Sequence, residues 1–203
     1  MRVAIVSTGV ANVASVKAAF DRCGAESFLT HSGSEVESAS HVMLPGVGAF
    51  GPGMKALRDH QLVDALVSRV AEDRPTMSIC LGLQLLGQTS EETPGVGGLG
   101  VFEAHAQRFP DTVRVPHFGW NEVVAPEGAR FLETGFAYFA NSYRWTDVPK
   151  CIDGKSSLVA TTTYDSIFYS AVESGNLLAC QFHPELSGPW GLALIKRWLE
   201  ASC

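Results

Sequence analysis

The first half of the chain alternates short apolar runs with amphipathic stretches, and this alternation limits its possible folds more than any other feature. Residues 3–6, 27–30, 41–44 and 76–79 have the length and apolar content of buried strands. The stretch 12–23 carries Val13, Val16, Ala19 and Phe20 at helical spacing; 57–70 predicts a second helix and 81–88 a third. Strands joined through helices make βαβ units, whose strands are parallel and whose helices cover both faces of the sheet. The second half reads differently. Pro, Gly and aromatic residues divide it into strand-like runs at 101–103, 120–124, 137–140, 158–163, 167–172 and 177–182, before a closing helix over 191–201. No repeat, linker or low-complexity tract interrupts the chain. The expectation is a single α/β domain over residues 1–203, with a central, mainly parallel sheet flanked by helices and added antiparallel strands.

Composition removes several classes. The net charge is -6 with no Lys/Arg cluster, which argues against a nucleic-acid partner. The apolar run near Met1 is too short for a signal-peptide core and far short of the roughly 20 residues of a membrane helix. Cys23, Cys80, Cys151, Cys180 and Cys203 are odd in number and form no CxxC pair. A disulfide framework and a zinc site are therefore not expected, and a reducing, cytoplasmic setting fits. No His/Cys/Asp cluster has ligand spacing, so neither metal nor cofactor is expected.

Ser78-Ile79-Cys80-Leu81-Gly82 sits where a buried strand hands over to a helix. A nucleophile at such a turn is lifted above the sheet end, and small flanking residues let strand and helix approach. The helix N-terminus favours thiolate over thiol, and the Leu81 N–H is a natural oxyanion donor. Far downstream, Gln181-Phe182-His183-Pro184-Glu185 follows a strand-like run. His183 there suits a general base toward Cys80, and Glu185 can orient its imidazole. Each motif alone has a bland reading, a buried small hydrophobe or a surface turn. Together, and in this order, they form a nucleophile–base–orienter set.

Cys80-Leu81-Gly82-Leu83-Gln84 and Phe182-His183-Pro184-Glu185 together resemble the class I, triad-type glutamine amidotransferases. The resemblance implies their flavodoxin-like fold and hydrolysis of the glutamine side-chain amide by Cys80, His183 and Glu185. Further matches are Pro45-Gly46-Val47-Gly48-Ala49-Phe50, Ser90-Glu91-Glu92, Pro116-His117-Phe118-Gly119-Trp120-Asn121, Ser142-Tyr143 and Ser187-Gly188. With these, essentially the whole chain is similar to the glutaminase subunits of imidazole glycerol phosphate synthases. Residues 46–51 also satisfy GxGxxG, but they follow a later strand and lie between Pro45 and Pro52, unlike a dinucleotide fingerprint. The resemblance instead makes Gly46, Val47 and Gly48, with Leu81, the oxyanion residues, glycine allowing the peptide reorientation that activation requires.

By the same resemblance Gln84, Glu92, Ser142 and Tyr143 hold the substrate's amino-acid head group. Pro116, His117, Trp120 and Asn121 are placed at the partner interface and the ammonia route, although from its own chemistry Trp120 equally suits a core position. With no phosphate-binding loop or second domain to use ammonia, a separate partner is expected, and the resemblance implies that it is a (β/α)8-barrel cyclase forming a heterodimer. The family usually has histidine where Asn141 stands and an acidic residue at Ser7. These departures leave the triad intact but keep open a paralogous subunit feeding sugar amidination for surface polysaccharide; the alternative of another class is a non-catalytic regulatory subunit that merely keeps the fold.

Overall fold

The computed structural model describes residues 1–7 and 13–200. Its first half runs β1 (Arg2–Val6), α1 (Val13–Arg22), β2 (Glu26–Thr30), α2 (Gly33–Ser38), β3 (His41–Leu44), α3 (Phe50–Asp59), α4 (Val63–Ala71), β4 (Thr76–Ile79) and α5 (Leu81–Leu85). The second half is mostly strand: β5 (Thr89–Ser90), β6 (Phe102–Glu103), β7 (His105–Arg108), β8 (His117–Val123), β9 (Gly135–Asn141), β10 (Tyr143–Trp145) and β11 (Lys150–Cys151). Then come β12 (Leu158–Tyr164), β13 (Ser166–Ser174), β14 (Leu177–Cys180) and α6 (Gly188–Glu200). Asn12, Ala201 and Cys203 lie outside the described residues.

Among the described residues a ten-stranded sheet runs in the order β2-β1-β3-β4-β14-β13-β10-β7-β5, with β12 beside β13. The pairings from β2 through β4 to β14 are parallel, as the strand–helix alternation requires. From β14 through β13 and β10 to β7 they are antiparallel. Alternate residues of the parallel strands feed two separate cores. Val3 and Ile5 face a core shared with α1, α6 and the β8–β9 hairpin, whereas Ala4 and Val6 face one shared with α2 to α5. Burial on both faces is why these strands read as continuous apolar runs. Parallel pairing also puts the carboxyl ends of β1, β3, β4 and β14 on one edge, where open α/β sheets bind ligands.

Three expectations need correction. The helix expected over 57–70 is two helices, broken where Gln61 takes a left-handed conformation at φ 56. The break is a Schellman motif, with Leu62 N–H donating to the Leu57 carbonyl at 2.8 Å and Gln61 N–H to Arg58 at 3.0 Å. Glutamine replaces the glycine that normally signals such a stop. Second, α3 begins at Phe50, before Gly51-Pro52-Gly53, because proline is tolerated in a first turn. Its free N–H groups are capped from a distance: Phe50 donates to Glu92 Oε2 at 2.6 Å and Gly51 to Thr93 Oγ1 at 3.1 Å. Third, the helix expected over 81–88 stops at Leu85. Beyond these, α2, with Ser32 capping the Glu35 N–H at 3.4 Å, was not expected.

Candidate active site

Cys80 stands at the carboxyl end of β4 with φ 54 and ψ −109. A non-glycine residue held there stores on the order of 1–3 kcal/mol of strain, so its surroundings must enforce the conformation. Two features do so. The Cys80 N–H donates to the Cys180 carbonyl of the neighbouring strand at 2.7 Å. Gly82 lets the first turn of α5 press against β3, where a Cβ would lie 2.3 Å from the Leu44 carbonyl oxygen. The sharp turn presents the sulfur at the floor of a cavity of about 180 Å³.

His183 reaches that cavity from the segment after β14, fixed by its N–H donating to the Tyr138 carbonyl at 2.9 Å. Its Nδ1 pairs with Glu185 Oε1 at 2.8 Å, and both side chains are buried. Burial pulls the imidazole pKa down. Hydrogen bonds to Cys80 and to Glu185, with the negative charges of both, outweigh that effect and raise it to about 10. The ring is thus a ready acceptor of the Cys80 proton and is held as imidazolium once the sulfur is ionised. Since α5 is only one short helical stretch, this cation, rather than a long helix dipole, is the main charge facing the sulfur.

Val47, Gly48, Leu81, Gln84, Glu92, Ser142 and Tyr143 line the same cavity as Cys80 and His183. Glu185 and Gly46 sit behind it, against Ile79 and the imidazole. The Leu81 N–H does not point freely at the cavity; it donates to the Gly46 carbonyl at 3.3 Å. Gly46 must be glycine for this contact, because a Cβ would fall 2.4 Å from Leu81 Cβ. Gly48 has φ 107, a conformation that L side chains rarely adopt. Glu92 lines the cavity while accepting from the Phe50 N–H, so one carboxylate caps α3 and faces the site.

Gln84 donates from Nε2 to the Tyr143 carbonyl at 3.2 Å and to Gln181 Oε1 at 3.0 Å. Gln181 in turn points Nε2 at Cys80 Sγ, 3.7 Å away. The sequence motif contains Gln181, but nothing in residue type or spacing marked it as a contact of the sulfur. Asn141 also lines the cavity and donates to the Tyr143 carbonyl at 2.9 Å. At Ser7, the other departure, the backbone N–H continues the β1–β2 pairing to Thr30 at 2.9 Å.

The 116–121 block divides. His117 is only 3% exposed, stacked between Tyr164 at 3.9 Å and Phe139 at 4.8 Å. It is a core residue, which corrects its placement at a partner surface. Asn121 supports it, approaching His117 Nε2 at 3.3 Å and donating to the Thr163 carbonyl at 2.9 Å. Pro116 is half-buried at the start of the hairpin. Trp120 is 57% exposed, so the core reading fails for it.

The family described as glutamine amidotransferase class-I matches residues 8–201. The imidazole glycerol phosphate synthase subunit HisH 2 of Nitrobacter winogradskyi is 38% identical, over 98% of this chain and 98% of that protein. The chloroplastic imidazole glycerol phosphate synthase hisHF of Arabidopsis thaliana is 36% identical, 98% of this chain matching 34% of that longer polypeptide. A solved structure described as a glutamine amidotransferase superposes with a TM-score of 0.76 at 22% identity, over 98% of each chain. That likeness is one of fold.

Proposed function

This chain belongs to the class I glutamine amidotransferase family, and on that premise we propose that it is the glutaminase subunit of an imidazole glycerol phosphate synthase. The carrying observation is the Cys80–His183–Glu185 arrangement, with Nδ1 of the imidazole on the carboxylate at 2.8 Å and Cys80 beside the ring. Near-complete mutual coverage by a relative named as such a subunit supports the synthase over the polysaccharide pathway. An intact nucleophile and base speak against a purely regulatory role.

Cys80 gives its proton to His183, and the thiolate attacks the side-chain carbonyl carbon of glutamine. The carbonyl electron pair moves onto oxygen. When the tetrahedral intermediate collapses, the C–N bond breaks and His183 protonates the departing nitrogen, releasing ammonia and leaving a glutamyl thioester. The imidazole next takes a proton from water, the hydroxide attacks, and C–S cleavage frees glutamate and the thiol. Glu92, with the free oxygen of Gln84, receives the substrate ammonium group, while Ser142 and Tyr143 border the head group. Turning the peptides of 46–48 would free the Leu81 N–H from the Gly46 carbonyl and present donors to the oxyanion. Partner binding is the event we assign to that turn.

The partner is a cyclase, and we assign it the (β/α)8 barrel. In the Arabidopsis relative the matching region is one part of a single polypeptide that bears the whole synthase name. Support on this chain comes from the outward face of the β8–β9 hairpin. Phe118, Trp120 and Phe136 are 60%, 57% and 59% exposed there, and Ala140, paired with Phe118, lines the cavity. Such an aromatic patch is the composition of an interface centre. No helix among the described residues is long and apolar enough to cross a membrane; a cytoplasmic site of action completes the proposal.

A glutamine analogue carrying an electrophile tests the nucleophile directly. Peptide mapping should find the adduct on Cys80 and spare Cys23, Cys151 and Cys180. An adduct elsewhere, or none, would remove the assignment.

A further inference from the structure

We propose that Gln181 is a second polar contact of the reacting sulfur, and that Gln84 ties its amide to the segment bordering the substrate head group. The inference rests on Cys80 being the nucleophile.

Hydrogen-bond direction fixes how both amides are turned. The Tyr143 carbonyl can only accept a hydrogen bond, so Gln84 must turn its Nε2 toward it, at 3.2 Å. The second hydrogen of that nitrogen goes to Gln181 Oε1 at 3.0 Å. With its oxygen engaged, Gln181 has only its amide N–H groups to offer Cys80 Sγ, at 3.7 Å. One backbone carbonyl therefore fixes the polarity of both side-chain amides. Flipping Gln84 would set its oxygen against the Tyr143 carbonyl and Gln181 Oε1, and flipping Gln181 would set N–H against the Gln84 N–H and turn an oxygen to the sulfur.

Gln181 is 0% exposed, so this polarity is established away from water. A buried amide must find partners, and a side chain of the same size without polar atoms would avoid that requirement. The chain places the amide where a neutral donor meets a sulfur that becomes negative before attack and again when the thioester breaks. Hydrogen bonds to a charged acceptor are stronger than those to a neutral one. Gln181 thus complements His183: the imidazole carries the proton, and the amide holds the sulfur without titrating. Because Gln84 also touches the Tyr143 carbonyl, a head group seated against 142–143 reaches the sulfur through two amides.

Two variants in the intact protein with its cyclase partner separate the roles. Gln181→Met removes the polar atoms at similar length. Gln181→Glu keeps an acceptor for Gln84 but faces the sulfur with a carboxylate. We expect kcat for glutamine hydrolysis to fall about tenfold or more in Gln181→Met and further in Gln181→Glu, with KM within about threefold. Alkylation of Cys80 by iodoacetamide without substrate should slow in parallel, while Cys180 stays unmodified and reports an intact core. Unchanged alkylation with a raised KM would make Gln181 a packing residue and overturn the proposal. Loss of the fold in both variants, read as a reactive Cys180, would overturn it equally. Analogue labelling of the wild-type protein tests Cys80 alone, so failure of that reading is distinguishable.

Discussion

His117 shows how a polar residue becomes part of an aromatic core. Its ring lies between Tyr164 and Phe139 and meets Phe109 and Phe168 edge-on. Burial lowers its pKa to about 4. The unfolded chain takes up this proton near pH 6.5, and the folded one resists until about pH 4, so stability is full above 6.5 and is lost as pH falls toward 4. Between pH 7 and 5 the loss from this residue should be about 2 kcal/mol. Urea unfolding of the wild type and His117→Phe at both pH values would isolate it, because other groups cancel in the difference. Identical pH dependence in the two proteins would refute it. His183 lies at the opposite extreme: its hydrogen bonds to Cys80 and Glu185 help overcome the same burial penalty. Residue type and spacing marked both histidines, but only the neighbours brought by the sheet decide which one is held neutral.

At the scale of elements, the parallel strands were legible because burial on both faces leaves an apolar run with no alternation. The break between α3 and α4 was not, since Gln61 supplies a left-handed turn without glycine. Nor was the start of α3, whose cap comes from Glu92 and Thr93, distant in sequence. The β8–β9 hairpin shows what period two does to a motif. In Pro116-His117-Phe118-Gly119-Trp120-Asn121, His117 and Asn121 turn inward while Phe118 and Trp120 turn outward. A motif that reads as one unit thus serves two faces. Trp120 touches Tyr138 edge-on at a centroid distance of 6.2 Å, and the Tyr138 carbonyl holds the His183 backbone. Trp120→Ala should leave glutamine hydrolysis measurable yet let glutamate outrun cyclised product in the complex, as ammonia escapes at a looser junction. Equal amounts of glutamate and product, with affinity for the cyclase unchanged, would separate Trp120 from the ammonia route.

Across the whole molecule, the site exists because the sheet order brings β3, β4 and β14 side by side with their carboxyl ends together. Segments far apart in the chain then meet around one cavity: 47–48 after β3, Cys80 after β4, His183 after β14, and 141–143 at the junction of β9 and β10, with Gln181 reaching the sulfur. The antiparallel half supplies a wall of that cavity through Ala140, and Phe118, Trp120 and Phe136 are exposed on the same hairpin. On the proposed function, hydrolysis and ammonia use are separate jobs of two proteins, which can be measured apart. The purified complex with its cyclase, carrying Cys80→Ala, should make no product from glutamine but should make it from ammonium salts at close to the wild-type rate. Glutamine-supported synthesis by that variant, or loss of the ammonium-supported reaction in an intact complex, would contradict the account.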